Sequence, residues 1–375
     1  MKNLLFYTDT AQIGGAELQM FLLSKFLNKE EFKVILACSN HRKLDEWCEK
    51  FKNEATEVIR LKVAHKHDPR HLGQIKKIIR EKSIDLIHSH VWNPASCRYS
   101  FMAASSTKTP IIITEHDPFK LSKIKDFFKK SALKKVQKII TVSEENKRTI
   151  LELYPDYKNK ISVIHNGIDT TWWQSQLLRF TKEDKEKIKT KIFHANKDTF
   201  IITTVAELHE RKGLQYLIKA IKPVSEKYPN IKLVIIGDGK ERQNLRKLIK
   251  KLKLSKNVTL AGRQKQIPKL LKSSNIFALP SLREAFGFVN LEAMICELPV
   301  VASHVGGIPE IVDKHSGILI KPANPEEISK AITLLIEHQE IREKMGESGK
   351  ARVLQNFTAG KMAKRYQEIY EDILS

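Results

Sequence analysis

The feature that most limits how this chain can fold is a recurring pair of segments. A short continuous run of β-branched and aliphatic residues is followed, again and again, by an amphipathic helical stretch. "NLLFYTD" leads into "GGAELQMFLLSKFL", and "KVILACS" into a charged helical stretch; "IDLIHSH", "PIIITEH" and "KIITVS" follow. A strand with one wet face alternates apolar and polar residues. Strands that are apolar throughout are buried on both faces, which requires a parallel sheet with helices on each side. Ligands of such sheets sit beyond the carboxyl ends of the strands. The polar residues that close these runs, His88, His90, Glu115, His116 and Ser143, are therefore expected to line one shared crevice.

The rhythm fades over residues 165–198, "HNGIDTTWWQSQLLRFTKEDKEKIKTKIFHANKD", where a turn signal at Asn166-Gly167 gives way to charged, helix-prone sequence. It restarts with "FIITTVAEL", "IKLVIIGDG", "NVTLAG", "NIFALPS", "PVVASHV" and "SGILIKP". A chain of 375 residues is too long for one ordinary core. The expectation is an α/β protein of two doubly wound domains, residues 1–170 and 171–355, joined in the weak stretch. The tail "FTAGKMAKRYQEIYEDILS" reads as a helix over 356–375 with Met362, Tyr366, Ile369 and Tyr370 on one face.

Hydrophobic content of 41% with 15 Gly and 13 Pro excludes a disordered chain. The formal net charge of +23 creates a field that attracts polyanions: nucleic acid, anionic membrane or phosphorylated substrates. Nucleic acid is disfavoured, because aromatic residues are not interleaved with the basic runs in a stacking pattern. Cys38, Cys48, Cys97 and Cys296 are far apart in sequence and lie in no metal-ligand spacing, which predicts free thiols in a reducing compartment. The N-terminal apolar run is short and reads as a first strand rather than a signal peptide. No apolar segment approaches bilayer length, so a cytoplasmic protein is expected.

Four motifs carry chemistry. In "TAQIGGAELQMFLL", Gly14 and Gly15 follow a strand and open a helix, where free N–H groups favour an anion. A tight strand-to-helix turn accounts for two glycines equally well. In "VAELHERKGLQYLIKAI", Arg211 and Lys212 stand before a helix and can neutralise a diphosphate. "VIIGDGKERQNL" repeats the strand–glycine–helix arrangement with Gly237 and Gly239. In "SLREAFGFVNLEAM", Glu284 lies in a loop, the helix begins near Phe288, and Glu292 sits about a turn inside it. The amides of Gly287, Phe288 and Val289 would face a phosphate. The two carboxylates can accept hydrogen bonds from hydroxyls of the same ligand, a geometry suited to a nucleotide sugar.

These motifs together resemble glycosyltransferase family 4, the retaining GT-B enzymes. The likeness is densest in "SLREAFGFVNLEAMICELPVVASHVGGIPEIV". It extends through Gly14-Gly15, "TEHD", "VSEENKR" and "VIHNGIDTTWW" to the final "FTAGKMAKRYQEIYEDIL". The resemblance implies a GT-B fold: two Rossmann-like domains facing a cleft, acceptor on the first, nucleotide-sugar donor mainly on the second, and a last helix crossing back to the first. It places Glu284 on hexose hydroxyls and Glu292 on the ribose. Phe286, Gly287, Phe288 and Val289 would line the sugar and diphosphate, with Gly15 approaching the diphosphate from the other side. Lys212 matches the phosphate-binding lysine and His116 the histidine near the reacting sugar. Arg263 and Gln264 fall where backbone atoms meet the nucleobase.

One departure stands out. The family commonly has an arginine five residues before the lysine, and here that position is Glu207. Arg211 is the candidate to supply the missing charge. The resemblance implies transfer with retention, the donor phosphate itself taking the acceptor proton. Lys212, the N–H groups and the helix dipole then stabilise the leaving diphosphate, with no metal or other cofactor. Glu284 as a covalent nucleophile is the less favoured role. For the acceptor, residues 120–138, "KLSKIKDFFKKSALKKVQK", place Leu121, Ile124, Phe128 and Val136 at near-helical spacing among eight lysines. Such a helix either lies on an anionic membrane at the inner face of the cytoplasmic membrane or packs its stripe on the sheet. A cell-envelope glycan or lipid-linked acceptor follows from the first option. The rival readings are a GT-B protein that binds sugar nucleotides as an epimerase or regulator, and a polyanion-binding protein.

Overall fold

The computed structural model describes all 375 residues. The chain divides into two compact units, Met1–Gly167 with Ala359–Ser375, and Ile168–Thr358. The first unit is built on β1 (Lys2–Tyr7), β2 (Phe32–Ser39), β3 (Glu57–Leu61), β4 (Leu86–Val91), β5 (Ile111–Glu115), β6 (Lys138–Thr141) and β7 (Ile161–Val163). They form one sheet in the order β3-β2-β1-β4-β5-β6-β7, with every neighbouring pair parallel. The second unit carries β8 (Phe200–Val205), β9 (Ile231–Ile236), β10 (Val258–Gly262), β11 (Ile276–Leu279), β12 (Val300–Ser303) and β13 (Gly317–Ile320). Their order is β10-β9-β8-β11-β12-β13, again all parallel.

The reason for parallel sheets is visible in the strands themselves. Leu4, Leu5, Phe6 and Tyr7 of β1 have no exposed surface, so residues pointing to both faces are covered. Each such side chain contributes about 1.5–3 kcal/mol by leaving water. β3 and β7 are not foreseen from sequence. Both are outermost strands; β3 reads "EVIRL" with charges inside the run and stays partly exposed, while β7 spans only three residues.

The stretch expected to connect the domains, 165–198, is mostly part of the second unit. A helix Thr170–Leu178 opens it, and Ile188 and Phe193 are buried with Ile201, Val234 and Ile236 of the sheet. The apolar residues among the charges are what anchor it.

The last helix, Ala359–Leu374, belongs to the first unit. Met362, Tyr366 and Tyr370 are buried and Ile369 only partly so. The Tyr370 hydroxyl meets His88 Nδ1 at 2.7 Å, and the Tyr366 hydroxyl meets Thr114 Oγ1 at 2.9 Å while accepting from Gln19 Nε2 at 2.9 Å.

That network corrects the shared-crevice expectation. His88, Glu115 and Ser143 have no exposed surface and His90 has 1%. They are structural groups with internal partners: Glu115 pairs with Lys129 at 2.6 Å, both side chains buried, and Ser143 Oγ caps the helix Glu144–Leu153 by accepting from Asn146 N. Of the five, His116 keeps the most surface, at 7%.

The basic segment 120–138 is a helix over Lys123–Lys135. Its inward anchors are Leu133, Val136 and the buried Lys129. Ile124, Phe127 and Phe128 stand out at 74%, 69% and 66% exposed, so of the expected stripe Val136 packs inward while Ile124 and Phe128 do not. All four cysteines are free and buried. No helix is long and apolar enough to cross a membrane.

Candidate functional site

In an open doubly wound sheet, ligands collect where the strand order reverses. In the second unit that point lies between β8 and β11. The loop after β8 delivers Arg211 and Lys212 in a short 3-10 turn, which His209 caps by accepting from Arg211 N. The loop after β11 delivers Glu284. The two loops are tied together where Leu282 N donates to the Arg211 carbonyl at 2.7 Å.

Lys212 Nζ and Glu284 Oε2 meet at 2.5 Å, and each side chain is only 11% exposed. Ser281 Oγ donates to the same carboxylate oxygen at 3.2 Å. The pair sits at the positive end of the helix Phe288–Ile295, whose first N–H groups have no intrahelical acceptor. Gly287 caps that helix at φ +93°, a conformation that L side chains rarely adopt; a Cβ there would lie 2.7 Å from Asn290 Nδ2. Phe286 is buried against Phe288 and Phe357, and Phe288 and Val289 are partly exposed.

Glu292, one turn into the helix, is half-buried and has no hydrogen-bond partner in the chain. Burial pushes its carboxyl up to about 7. A carboxyl left unpaired and partly desolvated, on the same short helix as those free amides, is a group suited to hydroxyl donors.

Other positions divide. Gly237, at φ +136°, is where the end of β9 passes the loop after β8; a Cβ would stand 1.9 Å from the Ala206 carbonyl oxygen, so backbone packing alone demands glycine. Arg263 is exposed and Gln264 Nε2 donates to the Ala261 carbonyl at 2.7 Å. Both lie beyond β10, at the sheet edge rather than at the reversal point. Glu207 is exposed, with its carbonyl accepting from His209 N.

Two residues were missed by sequence reasoning. Ser281 orients Glu284. Gly306, at φ +53°, lets the loop after β12 press on Glu284; a Cβ there would lie 1.6 Å from the Glu284 carbonyl oxygen. The run "GGIPE" was the available signal for Gly306, but only the folded chain shows which backbone it touches.

In the first unit, Gly14 and Gly15 are exposed at the start of the helix Gly15–Phe26. Gly14 N donates to Glu17 Oε2 at 2.8 Å. The Gly14 backbone is ordinary extended chain, and a Cβ there would meet only that carboxylate, at 3.5 Å. Nothing in the unit itself requires glycine at 14. His116 follows β5; its N–H donates to the Val91 carbonyl at 3.1 Å and its carbonyl accepts from Asn146 Nδ2 at 3.1 Å. Its ring lies nearly parallel to that of His90, with Nε2 3.4 Å from His90 Nδ1. Burial pushes His116 down to about 3, so it is a neutral imidazole at physiological pH.

Two parallel doubly wound sheets of this order define the GT-B class of glycosyltransferases. A crystallised Anabaena protein, HepE in complex with UDP-glucose, superposes with a TM-score of 0.85 over 99% of this chain and 100% of its own, at 20% identity. Residues 13–172 match the family described as Glycosyltransferase Family 4, and residues 184–352 the family Glycosyl transferases group 1. An uncharacterised glycosyltransferase of Methanocaldococcus jannaschii is 30% identical, covering 96% of this chain and 95% of its own. A capsular polysaccharide biosynthesis glycosyltransferase of Staphylococcus aureus is 26% identical over 93% of this chain and 92% of its own. The chain belongs to glycosyltransferase family 4 and is a glycosyltransferase enzyme.

Proposed function

We propose that this enzyme moves a hexose or N-acetylhexosamine, with retention, from a nucleotide-diphosphate sugar to a hydroxyl of a cell-envelope glycan or lipid-linked acceptor. The observation that carries the reading is the Lys212–Glu284 pair at the reversal point of the second sheet, beside the start of the Phe288–Ile295 helix. Lys212 and the helix amides meet the diphosphate, and Arg211 adds charge where Glu207 replaces the usual arginine. Glu284, released from Lys212, holds hexose hydroxyls, and Glu292 holds the ribose. The β-phosphate takes the acceptor proton. His116, neutral, hydrogen-bonds the transferred sugar, and Gly14-Gly15 approach the diphosphate. The preorganised donors act on charge that grows as the diphosphate leaves, where they are worth most. No metal takes part in this scheme, so transfer should persist in a chelator.

Support for the donor comes from the UDP-glucose complex of the structural neighbour, and for the acceptor from the capsular-polysaccharide relative. The exposed Ile124, Phe127 and Phe128 among lysines support contact with an anionic membrane, at its cytoplasmic face.

Thermal-shift screening of nucleotide sugars tests the reading: the true donor at 100 times its Kd adds about 2.7 kcal/mol of stability. NMR of the product should then show the donor's anomeric configuration kept. An epimerised donor formed without any acceptor would replace the transferase reading by the epimerase one. Protection by no nucleotide sugar would remove both.

A further inference from the structure

We propose that the reversal point of the first sheet holds a receptor for an oxyanion, carboxylate or phosphate, carried by the acceptor, with Lys66 and Arg98 as its two cationic arms. The assignment to an acceptor rests on the transferase reading; the anion receptor itself rests on the geometry that follows.

The first sheet reverses order between β1 and β4. Three loops meet beyond these strands: the one after β1 with Asp9, the one after β4 with Trp92, and the one after β3 with His65, Lys66 and His67. Trp92 Nε1 donates to Asp9 Oδ1 at 2.9 Å, and Cys97 N donates to Asp9 Oδ2 at 2.7 Å. Asp9 is 5% exposed, so its carboxyl is turned inward with both oxygens engaged. Trp92, fixed in this way, holds Lys66, whose Nζ stands 4.9 Å from the centre of the indole. Arg98, at the start of the helix Arg98–Thr107, reaches His67: its Nη2 donates to Nδ1 at 2.5 Å. His67 is held in turn by the Tyr99 hydroxyl, which donates to its carbonyl at 2.7 Å, and the Arg98 guanidinium lies 5.9 Å from the Tyr99 ring centre.

Both cations are held by rings rather than by carboxylates, unlike Lys222 with Glu226 or Lys330 with Glu326. Neither Lys66 nor Arg98 is in an ion pair; the Asp9 carboxyl, on which Lys66 acts through space, has its oxygens engaged by Trp92 and Cys97. The nearby Asp68 is taken by Arg70 at 2.6 Å and by the backbone N–H of Ala64 and Arg70. An indole and an imidazole therefore order two long, rotamer-rich side chains in advance, and neither holds its cation in an ion pair. The local potential is positive enough to act on His67: burial first, then Arg98, Lys66 and His65, lower its basicity, with Asp9 opposing. Pre-positioned cations outside any ion pair, at a strand-order reversal, are the complement of a carboxylate or phosphate.

The test uses the full-length enzyme and its Lys66→Ala/Arg98→Ala double variant, whose side chains are partly or wholly exposed, so the fold should survive. Calorimetry with sn-glycerol 3-phosphate and with glycerol is run beside nucleotide-sugar binding. The wild type should bind glycerol 3-phosphate at least tenfold more tightly than glycerol. The double variant should lose that preference and keep its nucleotide-sugar affinity within twofold. Co-sedimentation with phosphatidylglycerol/phosphatidylcholine vesicles separates the sources: vesicle binding lost together with the glycerol 3-phosphate preference assigns the anion to a lipid headgroup, and loss of that preference with vesicle binding unchanged assigns it to a soluble acceptor. Binding of both probes unchanged in the double variant, or absent from the wild type, overturns the receptor. Absence of nucleotide-sugar binding by either form overturns the transferase reading instead.

Discussion

Lys212→Met is the most informative single change in the second unit. It deletes an ammonium 2.5 Å from Glu284 and leaves that carboxylate, 11% exposed, with Ser281 Oγ as its remaining side-chain partner. Breaking a fully buried pair from one side costs about 3–5 kcal/mol. Residual exposure of both groups lowers the figure here to about 2–4 kcal/mol. Glu284→Gln in the same chain restores a neutral, hydrogen-bonding group of the same shape, so the double variant should recover most of the loss. The coupling in the double-mutant cycle should exceed about 1 kcal/mol. Donor protection adds a second readout. A hydrogen bond to a charged group is worth about 1.5–3 kcal/mol, so losing the Lys212–phosphate contact weakens a nucleotide sugar by at least roughly tenfold. At a ligand concentration that stabilises the wild type by about 2.7 kcal/mol, the variant should gain about 1.4 kcal/mol or less. Urea unfolding with and without donor measures both. A Lys212→Met protein within about 0.5 kcal/mol of wild type, or one protected as well by donor, refutes the reasoning that this pair is held for the diphosphate.

Further outcomes follow from the same structure. Gly306→Ala combines a left-handed backbone with a Cβ 1.6 Å from the Glu284 carbonyl. It should lower stability by about 2–5 kcal/mol in urea titration and reduce donor binding with it. For Glu292, raised to about 7 by burial, ribose hydroxyls favour the ionised form. Nucleotide-sugar affinity should therefore rise as pH climbs through about 7 and then level, while Glu292→Gln should show a flat calorimetric profile over roughly pH 5.5–8.5. In the first unit, burial holds His88 and His90 well below the usual histidine range, and His116 at about 3. The unfolded chain takes up these protons below about 6.5 and the fold does not, so stability present above that pH is lost as pH falls. Each such histidine contributes up to about 1.4 kcal/mol per pH unit, and His90→Gln should lessen the slope of the urea midpoint by one such share. Glu17, raised to about 7 mainly by burial, works in the opposite sense: its stabilising share is lost as pH rises from about 4.5 through about 7. Phe127→Ser/Phe128→Ser should weaken co-sedimentation with anionic vesicles without changing donor affinity; equal sedimentation would end the membrane role of 120–138.

Sequence carried the architecture because continuous apolar strands admit few alternatives, and all the interior strands of both sheets fall, to within a residue, on runs read from the sequence. It failed at β3 and β7, where an outermost strand needs only one covered flank and tolerates charge or brevity. The site was legible in the same uneven way. Lys212 and Glu284 are 72 residues apart in the chain, and their contact exists only because β8 and β11 are neighbours in the sheet. Ordered motifs could nominate both residues but not show that each occupies the other before a donor arrives. Polar residues at strand ends were the weakest signal. His88, Glu115 and His116 all close apolar runs, yet His88 answers Tyr370 from the last helix and Glu115 answers Lys129, which leaves only His116 near the surface. Whether such a residue faces a ligand or a partner is decided by elements distant in the chain. By the same argument Asp9 and Trp92 could not be weighed from sequence. Their value lies in a hydrogen bond between loops 83 residues apart, and in the two cations held beside it outside any ion pair.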